Sequence, residues 1–145
     1  MVAAMTHFTT TRRVEFCDTD MGGIIHFSNY FKYMEQAEHD LFRSLGLKIH
    51  GKFADGTVYS WPRVATSANF SSPARYEDVL DVRLTILRRS PRSLTISYEF
   101  WREDVRLAVG EMKTAFCRIP SPGKIEAMDM PPEIAGPLDR LMSQP

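Results

Sequence analysis

The stretch Val14–Tyr30, VEFCDTDMGGIIHFSNY, gathers the residues of this chain best suited to chemistry. Asp18 and Asp20 follow a short alternating segment, Gly22-Gly23 comes next, then Ile24-Ile25, then a helix start at about His26 to Ser28. A carboxylate, a pliant glycine turn and a helix N-terminus are thereby forced into one small volume. The carboxylate can act as nucleophile or general base, and the free N–H groups of a first helical turn are donors for developing negative charge. Together they are the equipment for attack on a carbonyl carbon.

Two residues apart in extended backbone, Asp18 and Asp20 face opposite ways. Asp20 is the candidate for chemistry, and Asp18 is expected to hold the loop through backbone N–H bonds. His26 is a further candidate, although a helix N-terminus disfavours its protonated form. The bland alternative for Asp20 is a local one, because Asp is common ahead of glycine turns. No metal site is expected, since His26, His39, Asp18, Asp20 and the cysteines show no recognised ligand spacing.

The elements that must position these groups can be read from periodicity. Phe8 to Cys17 reads as a strand, with Val14 and Phe16 on one face. Ser28 to Leu45 reads as one long helix, its stripe formed by Tyr30, Met34, Ala37, Leu41 and Leu45 and widened by Phe31 and Phe42. Ser28 is the expected N-cap and Gly46 the expected stop. After a polar loop, Lys48 to Gly56, the period becomes two. Val58, Val64, Ala68 and Phe70 share one parity, with Pro62 marking a bulge or edge. Leu80, Val82, Leu84 and Ile86 alternate, as do Leu94, Ile96, Tyr98 and Phe100. A last strand spans about Arg106 to Ile119, with a bulge expected at Gly110. Pro131-Pro132 opens a short C-terminal helix to about Met142. Strand, long helix, then strands on short connections give an α+β fold: a five-stranded antiparallel sheet curled around one long helix.

The 145 residues favour one domain, residues 1–145, with a core over about 8–120 and the C-terminal helix over 131–142. Hydrophobic residues make up 43% and charged residues 25%, a globular balance. Lys+Arg and Asp+Glu are 18 each, so no general pull towards nucleic acid is expected, and a neutral surface favours self-association. The start MVAAMTHFTTTRR has no apolar signal region, residues 1–7 read as a frayed leader, and no run is long enough to span a membrane. Cys17 and Cys117 are unpatterned and read as free thiols, so a cytoplasmic location is expected.

Two segments in order, EFCDTDMGGIIHFSNYF and ANFSSPARYEDVL, resemble the 4-hydroxybenzoyl-CoA thioesterase family of hotdog-fold proteins, with the likeness running from about Thr10 to Ile119. The resemblance implies a hotdog fold and hydrolysis of an acyl-CoA thioester without metal or cofactor. It implies that Asp20 is the catalytic carboxylate, as nucleophile or as base for water. It implies that Gly23 lets the backbone approach the thioester and that the Phe27 N–H is the oxyanion donor. Some relatives carry a catalytic histidine at the Phe27 position; here His26 stands one residue earlier. The implied assembly is a homo-oligomer, dimer or tetramer, built by pairing sheet edges.

Other residues fit this frame. Arg88, Arg89 and Arg92 in RRSPR are either a solvated hairpin tip or a seat for coenzyme A phosphates. Ser71 and Ser72 are plain turn residues or partners for the acyl carbonyl. Trp61, Tyr59 and Met21 suit an acyl pocket, a core or a subunit interface. Two alternatives stay open: a non-catalytic acyl-CoA or lipid-binding protein of the same fold, and a thioesterase acting on acyl carrier protein; the His with Glu or Asp arrangement usual in hotdog hydratases and dehydratases is not found here.

Overall fold

The computed structural model describes residues 5–145, so the first four residues of the expected leader lie outside the described part. Strand β1 is Phe8–Arg13 and helix α1 is Ser28–Ser44. Strands β2 (His50–Lys52), β3 (Val58–Ser60), β4 (Arg63–Phe70), β5 (Val79–Ser90), β6 (Ser93–Arg102), β7 (Val105–Ala115), β8 (Cys117–Arg118) and β9 (Glu126–Ala127) follow, and helix α2 (Pro132–Met142) closes the chain. An antiparallel sheet in the order β1-β5-β6-β7-β4 carries the core, as the α+β reading requires.

Alternation sorts its residues. Leu80, Val82, Leu84 and Ile86 of β5 and Leu94, Ile96, Tyr98 and Phe100 of β6 are all buried. Register places Val82 opposite Phe100, Leu84 opposite Tyr98 and Ile86 opposite Ile96. Tyr30, Met34, Ala37, Leu41 and Phe42 of α1 join them in the core. Leu45 is only partly buried, and Asn29, Tyr33 and Glu38 complete the buried helix face. Tight packing needs one close approach: a Cβ on Gly110 would sit 2.6 Å from Met34 Sδ and 3.3 Å from the Ser67 carbonyl. Gly110 pairs in register with Ala68 and Tyr98, so the bulge expected there is absent. The irregularities fall instead between Arg63 and Ala65, Ile86 and Arg88, and Phe100 and Trp101.

A second sheet, β2-β3-β8-β9, was not foreseen. Trp61-Pro62 divides the expected second strand into β3 and β4, which join different sheets. The expected last strand divides likewise at Phe116, between β7 and β8. β4 lies at the open edge, with Val64 and Phe70 exposed rather than packed under the helix.

Helix α1 stops as expected. Gly46 has φ +71°; its N–H donates to Arg43 O at 3.1 Å and that of Leu47 to Phe42 O at 2.8 Å. This pair of bonds is a Schellman ending. β1 is shorter than expected, because Phe16–Asp18 form a 3-10 turn that redirects the chain into the carboxylate loop.

Candidate active site

The loop between β1 and α1 is braced by Asp18. Its Oδ2 accepts the Glu15 N–H at 3.0 Å and the Tyr33 hydroxyl at 2.6 Å. Its carbonyl accepts the His26 N–H and the Asn29 side-chain amide, both at 2.8 Å. Burial, and then the adjoining Asp18 carboxylate, push the Tyr33 phenol far above its usual range, so Tyr33 is a fixed donor tying the loop to the helix.

Asp20 is turned the other way. The Gly22 N–H donates to Asp20 Oδ1 at 2.8 Å, while Asp20 Oδ2 has no protein partner among the described residues. The turn is closed by Gly23 N–H to Asp20 O at 3.0 Å and Asp20 N–H to Ile24 O at 2.8 Å. Gly23 takes φ +76°, a left-handed geometry that glycine adopts at no steric cost. The crowded glycine is its neighbour, for a Cβ on Gly22 would lie 3.1 Å from Asp20 Oδ1.

The helix start differs from expectation. Phe27 is the N-cap and Ser28 the first helical residue. His26 performs the side-chain part, its Nδ1 accepting the Ser28 N–H at 3.2 Å and standing 2.8 Å from Ser28 Oγ. The imidazole reaches over the first turn because its ring stacks on Phe27, with centroids 4.6 Å apart. The Phe27 N–H has no protein acceptor among the described residues.

Asp20 and Phe27 line one cavity of about 490 Å³, together with Ile24, Ile25, Tyr30, Phe70, Ser71, Ser72 and Pro73. Its wall is mainly apolar and its polar groups are few, the usual makeup of a small-molecule site. Asp20 with a free carboxylate oxygen and Phe27 with an unpaired N–H at a helix start thus line one apolar cavity, and two such groups can attack a carbonyl carbon and receive the oxyanion that forms.

The other expected residues are distributed as follows. Ser71 and Ser72 border the cavity, and both their N–H groups donate to Leu107 O, at 2.9 and 3.2 Å. Ser71 Oγ also turns back to that carbonyl at 3.1 Å. Trp61 is 1% exposed and packs on Phe42 and Phe116 in the core, away from the cavity. Tyr59 stacks on Phe53, and Met21 is wholly exposed at the loop tip. Arg89 grips Asp139 of α2 with two nitrogens, and Arg92 Nε meets Asp129 at 2.6 Å. Arg88 is exposed and has no ion pair among the described residues. Tyr30 and Phe70, whose rings lie 5.1 Å apart, form a wall that sequence reasoning did not single out. Their signal was present as apolar parity, which cannot separate a cavity wall from core. No cluster of three or more metal-ligating side chains occurs among the described residues, and no helix there is long and apolar enough to cross a membrane.

Comparison with known proteins gives one consistent outcome. Residues 22–109 match the thioesterase superfamily. A protein of Aquifex aeolicus (strain VF5), provisionally named an esterase, is 34% identical over 88% of this chain and 94% of its own length. The 1,4-dihydroxy-2-naphthoyl-CoA hydrolase of Synechocystis sp. is 30% identical over 66% of this chain and 68% of its own. Among solved structures, a hypothetical protein from Thermus thermophilus superposes with TM-score 0.78 at 27% identity, covering 92% of this chain and 98% of that one.

Proposed function

The chain belongs to the thioesterase superfamily, and we propose that this member hydrolyses acyl-CoA thioesters with Asp20 and the Phe27 N–H as its reacting groups. One observation carries the reading: Asp20, with a free carboxylate oxygen, and Phe27, with an unpaired N–H among the described residues, line the same mainly apolar cavity.

The proposed course needs no metal or cofactor. The thioester carbonyl oxygen accepts the Phe27 N–H. Asp20 then attacks the carbonyl carbon, or takes a proton from a water that attacks it. The tetrahedral oxyanion collapses and expels the coenzyme A thiolate, which leaves either the free acid or an acyl-aspartyl anhydride that water hydrolyses. Gly22 and Gly23 hold the carboxylate in aim. His26 orders the first helical turn by accepting the Ser28 N–H, one residue beyond the oxyanion donor. Coenzyme A phosphates are assigned to the hairpin arginines, Arg88 first, because Arg89 and Arg92 already bind carboxylates. The open, exposed edge strand β4 supports a homo-oligomer formed by edge pairing. Free Cys17 and Cys117 support a cytoplasmic setting.

The test is thiol release from benzoyl-, 4-hydroxybenzoyl- and short, medium and long aliphatic acyl-CoA, with wild type beside Asp20→Asn. Turnover by wild type with a loss of about a thousandfold or more in the folded variant is expected. Full turnover by Asp20→Asn would remove Asp20 from the chemistry. Tight binding of coenzyme A esters with no turnover would favour a non-catalytic binding protein. Much faster turnover of the same acyl group on a carrier protein would move the substrate from coenzyme A to the carrier.

A further inference from the structure

An oxyanion donor that is a backbone N–H takes its direction from whatever holds its peptide group. Phe27 N shares that group with the His26 carbonyl, and a trans peptide unit is planar, with its N–H directed opposite to its C=O. The His26 carbonyl accepts the Asn29 N–H at 2.9 Å, inside the first turn of α1. The Phe27 N–H is therefore directed away from that turn, and it has no protein acceptor among the described residues. Asn29 acts a second time through its side chain. Its amide reaches back 11 residues and donates to the Asp18 carbonyl at 2.8 Å. The same carbonyl accepts the His26 N–H at 2.8 Å. Phe27 is thus bracketed by two residues, His26 and Asn29, that are fixed to one oxygen.

That oxygen belongs to the loop that carries Asp20. Thr19 and Ile25 face each other in an antiparallel bridge, flanked by the His26 N–H on Asp18 O and the Asp20 N–H on Ile24 O, both at 2.8 Å. Asp20 therefore sits on a short paired unit, and the Asn29 amide fastens the backbone of that unit to the helix. Tyr33, one turn further on, holds only the Asp18 carboxylate. Asn29 is 8% exposed, so little water is at hand to replace its amide on the carbonyl. We propose that Asn29 is a positioning residue that holds the Phe27 N–H at a fixed aim relative to the Asp20 carboxylate. The inference rests on the thioesterase reading of Asp20 and Phe27. A donor placed for the transition state loses much of its effect when displaced by about 1 Å, whereas ester binding through the coenzyme A and acyl parts does not depend on that aim. Loss of the amide should thus appear in kcat rather than in KM.

The test compares wild type, Asn29→Ala and Asn29→Asp by thiol release from the acyl-CoA that wild type turns over fastest, well below each Tm and per folded protein. Asn29→Asp keeps the shape and suits the N-terminal end of the helix dipole, but at about pH 8 the introduced carboxylate has no proton to donate. Both variants are expected to lose about tenfold to a hundredfold in kcat, with KM within about threefold of wild type. A second readout needs no turnover. In the Asp20→Asn background, the infrared carbonyl band of the same ester, isotope-labelled at that carbonyl, should lie below that of the free ester, because the N–H polarises the C=O. Adding Asn29→Ala should return the band most of the way; if that variant does not fold, Asn29→Asp serves for both readouts. A wild-type kcat in either folded variant would overturn the inference and leave the hydrolase reading standing. So would a rise in KM without loss of kcat, or a carbonyl band that does not respond to Asn29. Wild type inert on every acyl-CoA would fail the hydrolase reading itself, and the inference with it.

Discussion

Glu38 buries its carboxylate, 2% exposed, against the Arg63 guanidinium at 2.6 Å, tying the middle of α1 to the first residue of the open edge strand β4. Burial pushes the Glu38 pKa up to about 7, with Arg63 opposing the rise and Glu35 adding to it. The folded protein thus holds this proton more tightly than the unfolded chain does. The corresponding stability is full below the ordinary value of 4.5, falls as pH rises towards about 7, and is gone above it.

The stability of wild type minus that of Glu38→Gln should therefore decline by about 3 kcal/mol between those two pH values and level off above them. Asp40 sets the acid limb. Burial alone would raise its pKa, but bonds from Thr10, Arg43 and Arg12 hold it below the ordinary value of 3.8. Its contribution is present above that value and lost as pH falls. Denaturant midpoints across the pH range check both limbs, and a difference independent of pH would contradict the Glu38 assignment.

Gly22 and Gly23 stand side by side and should fail differently. Gly23→Ala places a side chain at φ +76° and should cost about 1–2 kcal/mol of stability. Gly22→Ala adds a Cβ 3.1 Å from Asp20 Oδ1, so it should lower kcat roughly tenfold with little change in Tm. Melting curves and steady-state rates on the two variants separate a conformational need from a steric one. Equal effects on both would contradict this division.

Gly110→Ala should destabilise by about 1–3 kcal/mol, because the new Cβ would lie 2.6 Å from Sδ of the fully buried Met34 and its neighbours leave no room to repack. Combined with Met34→Ala, the loss should be smaller than the sum of the single losses, since the clash then has no partner. Additive losses in denaturant unfolding would show that the strain lies elsewhere, at the Ser67 carbonyl 3.3 Å away.

What sequence made legible follows from what periodicity encodes. Alternation in Leu80–Ile86 and Leu94–Phe100 reports which side is buried, and the sheet obeys it. Alternation cannot report that a chain changes sheet at Trp61-Pro62, so pocket, core and interface stay open for Trp61 until the structure packs it against Phe42 and Phe116. Composition favours Ser28 as a cap, but the cap's position depends on backbone angles, and one residue of shift gave the side-chain bond to His26. Ser71 and Ser72 are identical in sequence terms and both border the cavity, but only the structure shows that Ser71 Oγ turns back to the Leu107 carbonyl. Glu38 reads from sequence as a solvated or hydrogen-bonding helix residue, and its burial is not legible there because its partner Arg63 lies 25 residues away.

The hairpin arginines carry the last prediction. Arg89 and Arg92 are engaged by Asp139 and Asp129, so α2 and the segment before it hold carboxylates where an anionic ligand's phosphates would compete. Arg88→Ala should raise KM for an acyl-CoA about threefold to tenfold, and the effect should shrink at high salt, because an exposed ion pair is screened. Asp139→Asn should act oppositely, freeing the Arg89 guanidinium and lowering KM by about twofold to fivefold with kcat unchanged. Titrating coenzyme A as a product inhibitor measures the same seat without the acyl group, and its Ki should shift in step with KM in both variants. A KM indifferent to both substitutions would place the nucleotide phosphates away from this hairpin.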